Sequence, residues 1–262
     1  MRLDLDRQRT LGELVGQTFE LFGRHLATFL TLTLLVVAPI VLVVDGAWGG
    51  GFAEGGEADP STAAAGVSLA LGIVVVPPLV TALHVAVVQG LARGEDPTVG
   101  AALRAAAPRL PAAVGAVAVY SVAVAFGLVL LVAPGVWLGV RWYFGAQAAV
   151  VDGLGPANAL RRSAQVVERR WWRTFGALLT FGLVTGVTSA VVAAIVREID
   201  NGAIYTASTV LMQAVFLSLT AIFGTLLFFD SRARSSLPWQ GPPPVDWLPP
   251  EPPERPTLPP RF

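Results

Sequence analysis

The stretch Phe175–Val196, FGALLTFGLVTGVTSAVVAAIV, decides the fold class. It runs 22 residues without an Asp, Glu, Lys or Arg. About 20 apolar residues cross a hydrocarbon core of roughly 30 Å as a helix. Lipid offers no partner to a backbone N–H or C=O, so such a segment must satisfy its own hydrogen bonds. A barrel strand would be about ten residues long and would alternate in polarity. This run is longer and apolar on every face. Arg169-Arg170-Trp171-Trp172-Arg173 precedes it and Arg197-Glu198 follows it, as expected where a spanning helix meets the headgroup layers.

Five further runs resemble it: Leu26–Val44, Val67–Val88, Ala112–Val132, Gly135–Val151 and Ala207–Phe229. The expected fold is an all-α integral membrane protein with six transmembrane helices. Its parts are a cytoplasmic amphipathic helix at 1–25, a six-helix domain at 26–229 and a Pro-rich, disordered cytoplasmic tail at 230–262. Gly135–Val151 is the shortest run and holds Arg141. It reads either as a short tilted span or as a re-entrant hairpin starting at a Pro134-Gly135 turn. The first run is expected to be a retained anchor, because a signal peptide would have only about 7–15 apolar residues after a short basic start.

Composition agrees. Of 262 residues 54% are hydrophobic and 14% charged, with mean hydropathy +0.64; soluble domains carry about 25% charge. All 18 basic residues are Arg, a bias that with abundant Ala, Gly and Pro suggests a GC-rich bacterial genome. Cysteine is absent, which excludes disulfides, thiolate metal sites and cysteine nucleophiles.

Arginine fixes the expected orientation. Segments 1–25, 89–111, 152–174 and 230–262 hold four, three, five and four Arg, whereas the intervening connections hold one, Arg197. Six crossings place every Arg-rich segment on one side, which predicts both termini in the cytoplasm of a cell membrane.

Each Arg-rich segment before an odd-numbered run can form an amphipathic helix. Thr10 and Glu13 fit a capping box, Asp96-Pro97-Thr98 marks a second start, and Pro156 suits the first turn of a third. Aligning Leu14, Leu103 and Leu160 brings Phe29 and Phe175, and Arg24 and Arg170, to equal offsets; the second copy breaks both matches. The layout is three repeats of interfacial helix plus transmembrane hairpin, set against the plainer reading that any helix leading into a bilayer looks amphipathic.

Three motifs together resemble the bacterial glycerophosphoryl diester phosphodiesterase membrane domain family. They are Leu11-Gly12-Glu13-Leu14 with Phe19 and Phe22; Asp152-Gly153 with Ala159-Leu160-Arg161-Arg162-Ser163; and Phe228-Phe229-Asp230-Ser231-Arg232-Ala233-Arg234. Pro134-Gly135 before an Arg-containing run also fits. The resemblance covers roughly residues 8–234. It implies a membrane domain that is fused in some members to a phosphodiesterase. The 33 residues after Phe229 leave no room for one here, so no enzymatic activity is expected from the resemblance.

Candidate sites are few. An ionisable group at membrane depth is a functional hypothesis by default, and Arg141 is the one such charge. It shares a helix face with Trp137, which permits a cation–π contact. It reads as an anion or headgroup contact, or, the favoured reading, as a snorkelling side chain or a partner of Glu198 or Asp200. His84 is expected to hydrogen-bond between helices. Tandem Pro77-Pro78, with Pro39, interrupts helical hydrogen bonding, and broken helices build transporter sites. Arg161, Arg162, Arg170, Trp171, Trp172 and Arg173 are candidate lipid-headgroup contacts. Gly182 and Gly186, extended by Ala190 and Ala194, form a small-residue face expected to pack within the bundle.

The sequence holds no GxSxG, HExxH or Walker-type motif. The expected role is a non-enzymatic scaffold or envelope accessory protein without cofactor or nucleic acid, whose partners are membrane lipids and other membrane proteins. The alternative is a transporter or lipid-handling permease.

Overall fold

The computed structural model describes residues 3–5, 7–47 and 71–235. Among these there are helices and connections and no strand. The connection expected at 45–66, the start of the second run at 67–70 and most of the Pro-rich tail fall largely outside the described residues.

Helix α1 (Leu11–Arg24) begins at a complete capping box: the Thr10 hydroxyl accepts from the Glu13 N–H, and the Glu13 carboxylate accepts from the Thr10 N–H at 2.7 Å. It buries Leu14, Thr18 and Leu21 at helical spacing. At His25 the chain bends by 87° into α2 (Leu26–Ala47), so α1 lies across the direction of the bundle. After the undescribed stretch, a π-helical turn at Leu71–Val75 leads into α3 (Val76–Arg93). The tandem prolines therefore sit just after the switch from π- to α-helix, inside a helical stretch that runs unbroken from Leu71 to Arg93. Proline cannot donate to a preceding carbonyl, and it is at this point that the hydrogen-bonding pattern changes from π-helical to α-helical. Gly94, at φ +80, ends α3.

Thr98 caps α4 (Val99–Ala106), whose chain continues through a 3-10 turn into α5 (Leu110–Leu130). The reversal after α5 falls at Leu131, which is extended, not at Pro134-Gly135. Those two residues lie in the first turn of α6 (Val132–Trp142). Gly135 matters for a different reason: a Cβ there would sit 2.6 Å from the Leu128 backbone nitrogen, so its absence lets α5 and α6 approach.

The fourth apolar run is not one helix. It breaks at Tyr143-Phe144 between α6 and α7 (Gly145–Val151). Then follow α8 (Pro156–Val167), with Pro156 in its first turn, α9 (Trp171–Val196) and α10 (Gly202–Ser235).

Four helical stretches are long and apolar enough to cross a membrane, and a fifth is if the bent α1–α2 pair counts as one. They divide into an inner and an outer set. Over half of the most apolar window, 56%, is buried in each of Leu71–Arg93 and Ile204–Ser235, but only 6% in α9. Helix α10 is the centre, packing against α1, α2, α3, α8 and α9. Phe223 stacks face to face on Phe181 of α9 at 3.9 Å, and Phe228 meets Phe144 at the α6–α7 break. At 34 residues α10 is about 51 Å long, well beyond a hydrocarbon core. It runs through Asp230 to Ser235, so the segment expected to open the disordered tail is the end of the central helix.

Candidate functional site

The three motifs quoted above meet at one end of the bundle. Two aspartates with buried carboxylates organise the meeting. Asp230, at 0% exposure, accepts from the Arg9 backbone N–H at 2.6 Å, from Arg173 Nη1 at 2.6 Å and from Arg234 Nε at 3.0 Å. Arg234 reaches back one turn, the i,i+4 spacing at which helical side chains meet. The Arg9 carbonyl then accepts from both Arg173 Nη2 (2.9 Å) and Arg234 Nη2 (2.6 Å). The Arg9 guanidinium turns the other way, donating to Gln17 Oε1 and to the Arg7 and Asp4 carbonyls. Burial, then the neighbouring Arg7, pushes its pKa down, while Asp230 opposes the shift.

Asp152 is the second hub. It accepts from Arg162 Nε at 3.3 Å and from Arg232 Nη1 at 3.0 Å. Arg232 and Arg234 stand two residues apart, so they point to different sides of α10 and serve different carboxylates. Gly153 follows with φ +67, and a Cβ there would run into the Arg109 guanidinium. Ser163, in the same motif, repairs the α6–α7 break. Its hydroxyl accepts from the Phe144 N–H at 3.1 Å and donates to the Arg141 carbonyl at 2.9 Å. The four Arg-rich segments thus converge, through Arg9, Arg109, Asp152, Arg162, Arg173 and Asp230.

This changes the reading of the headgroup residues. Arg162 is 2% exposed and paired with Asp152, so it is a buried structural cation and not a lipid contact. Arg173 is committed to Asp230 and the Arg9 carbonyl. Trp171 donates from its indole N–H to the Trp137 carbonyl at 3.2 Å and stacks on Phe175, which ties α9 to α6. Arg161 and Trp172 are exposed and Arg170 half-buried.

Within the bundle, His84 is fully buried. Its Nδ1 bonds the Val80 carbonyl at 2.8 Å, its Nε2 lies 3.5 Å from Thr33 Oγ1, and its ring stacks on Phe29. Thr33 bonds Ser218 at 2.7 Å, so the polar groups link α2, α3 and α10 as expected. Arg141 sits 4.9 Å over the Trp137 ring, the contact its spacing allows. Gly182 and Gly186 are exposed, and a Cβ on either would meet nothing within 4 Å. The expected packing of that face inside the bundle is therefore not what the fold does.

A cavity of about 310 Å³ lies between the π-helical turn, α3, α5, the α6–α7 break and α10. Pro77 and Pro78 line it; Arg141 and His84 do not. Its polar lining includes Tyr120, Ser121, Tyr143 and Gln147, none of them singled out by the sequence reading. Gln147, a lone amide in an apolar run, was the available signal. Among the described residues no group of three or more His, Asp and Glu comes close enough to hold a metal ion.

Among the described residues the chain is all-helical, with four or five helical stretches long and apolar enough to cross a membrane, joined at one end by aspartate–arginine pairs. The family model described as "Domain of unknown function (DUF7847)" matches residues 79–229, more than half of the chain, and the chain belongs to that family. The matched region holds Asp152, Arg162, Arg173 and the cavity lining apart from Gly72, Ile73, Pro77 and Pro78, and ends one residue before Asp230. No curated protein and no solved structure matches the chain.

Proposed function

We propose that this chain is a non-enzymatic, six-pass protein of the cell membrane, with both termini in the cytoplasm, serving as a scaffold or envelope accessory. The observation that carries the reading is the state of its buried carboxylates. Asp152 and Asp230 each accept charge-assisted bonds from two guanidinium groups, which leaves neither poised as a general base. Six passes fit the geometry if α6 and α7 together make a broken fourth span. They hold 20 residues from Val132 to Val151, about 30 Å of rise, and return from Leu131 to Asp152 beside Arg109. The three short helices α1, α4 and α8, each followed by a hairpin, fit the threefold layout. The resemblance to the phosphodiesterase membrane domain family stands beside this reading as motif similarity alone. Crosslinking in native membranes tests the scaffold role: a reproducible partner is expected, and recovery of none contradicts it.

A second reading, a lipid-handling permease, is favoured by the cavity where two apolar stretches depart from regular α-helix, at the π-turn before Pro77 and at Tyr143-Phe144. Reconstitution in liposomes tests it: lipid scrambling above that of protein-free vesicles supports it, and an unchanged rate sinks it.

A further inference from the structure

Arg173 and Arg234 hold more positive charge than Asp230 can neutralise. Each directs one N–H to that carboxylate and one to the Arg9 carbonyl, which leaves over half of a guanidinium's donors without a partner among the described residues. Asp230 is the one described carboxylate that bonds either side chain. Two cations therefore face one anion, and a positive charge is left over. It is reachable: the Arg173 and Arg234 side chains are 30% and 22% exposed. Both line an open groove of about 480 Å³ together with Thr10, Trp172, Gly176 and Thr180. No carboxylate lines that groove among the described residues.

The course of the groove sets the kind of ligand. Gly176 and Thr180 follow Arg173 along α9, so the groove runs about 10 Å from the arginine pair up the helix at 1.5 Å per residue. Helix α9 is the most lipid-facing of the spanning stretches, with 6% of its most apolar window buried. Trp172 stands at its start, 77% exposed, where tryptophan marks the headgroup layer. A Cβ on Gly176 would meet nothing within 4 Å, so the groove is open beside it. Charge at one end and a bilayer-facing helix at the other match an amphiphile better than a free anion. Guanidinium pairs suit phosphate because their donors are planar and bidentate. Asp230 and the Arg9 carbonyl already fix both side chains, so little rotamer freedom is lost on binding.

We infer that this groove binds a phospholipid with a single net negative charge, of the phosphatidylglycerol type. Its phosphodiester accepts from Arg173 and Arg234, and the start of one acyl chain follows α9 past Gly176 and Thr180. One phosphodiester anion balances the one surplus cation. A choline headgroup brings its own cation, which finds no carboxylate in the groove. Such a lipid serves a scaffold and a permease alike.

The test titrates the full chain in non-ionic detergent with phosphatidylglycerol, with phosphatidylcholine of the same acyl chains, and with glycerophosphoglycerol, the headgroup diester without chains. Native mass spectrometry counts what stays bound. Phosphatidylglycerol is expected to bind about tenfold more tightly than phosphatidylcholine, as one hydrogen bond between charged groups allows, and glycerophosphoglycerol to leave no adduct. Gly176→Leu narrows the groove and changes no charge; it should bring phosphatidylglycerol down to the phosphatidylcholine level. Gly182→Leu, at a position equally free of neighbours but outside the groove, should not. Arg234→Gln should also abolish the preference. Should it fail to fold, Gly176→Leu decides alone. Equal affinity for the two lipids, or an undiminished preference in folded Gly176→Leu, overturns the proposal. Glycerophosphoglycerol bound as tightly as the lipid overturns it too, by assigning the arginine pair to a free phosphodiester.

Discussion

The Arg9 backbone N–H donates to Asp230 Oδ1 at 2.6 Å across 221 residues of chain. The contact joins the start of the first helix to the last turns of the central one, and it is reinforced by Arg173 and Arg234, which bond both the Asp230 carboxylate and the Arg9 carbonyl. Asp230 is thus a fully buried carboxylate with three donors.

Asp230→Asn keeps the shape and removes the charge, leaving two guanidinium groups against a neutral amide. Breaking a buried pair by removing one partner costs about 3–5 kcal/mol. A loss of that order is expected in reversible detergent unfolding. A loss below about 1 kcal/mol, the scale of an exposed pair, would show that the cluster is wet.

Neighbouring arginines should differ sharply. Arg162→Met strands Asp152 with Arg232 alone and is expected to cost about 3 kcal/mol. Arg161→Ala, at an exposed position, should stay within about 0.5 kcal/mol. The same unfolding assay on both variants checks this, and equal effects would contradict the assignment of Arg162 to the interior.

Ser163→Ala should reopen the break in the fourth run. The Phe144 N–H and Arg141 carbonyl would lose their shared hydroxyl, and a buried group left unpaired costs about 1–3 kcal/mol. The unfolding midpoint should drop accordingly, with hydrogen exchange rising first at Phe144. Unchanged exchange there would refute the role given to Ser163.

The capping box sets an acid limit on α1. The Thr10 backbone N–H, then its hydroxyl, holds Glu13 below the ordinary carboxylate value of 4.5, with Arg7 adding to the shift. A depressed folded pKa means the cap's contribution is complete above the unfolded value and fades as pH falls through the folded one. The stability advantage of wild type over Glu13→Gln should therefore be constant near neutrality and shrink below about pH 4.5. An advantage that grew on acidification would have the wrong sign.

Much of this was legible in the sequence because it is local. Helix length needs only an apolar run, the Thr10–Glu13 and Thr98 caps need three-residue spacing, and Trp137 meets Arg141 one turn on. What was not legible depends on partners far along the chain. Nothing near Arg162 tells it from Arg161, since its partner Asp152 lies ten residues back and is shared with Arg232, seventy residues on. Arg173 reads as a lone headgroup residue until α10 delivers Asp230 and Arg234. The four-residue spacing of Gly182 and Gly186 says a close approach is sterically open, not that a helix takes it. The break at Tyr143-Phe144 has no proline or glycine pair to announce it; Ser163 stabilises it from another helix.

The most direct measurement exploits the absence of cysteine. Single substitutions Gln8→Cys, Glu168→Cys and Asn201→Cys would be probed with a membrane-impermeant maleimide in intact and lysed cells. Residues 8 and 168 should react only after lysis, and residue 201 in intact cells. Labelling of 8 and 168 on opposite sides, or of 201 on the same side as 168, would contradict the arginine-clasped, six-pass arrangement.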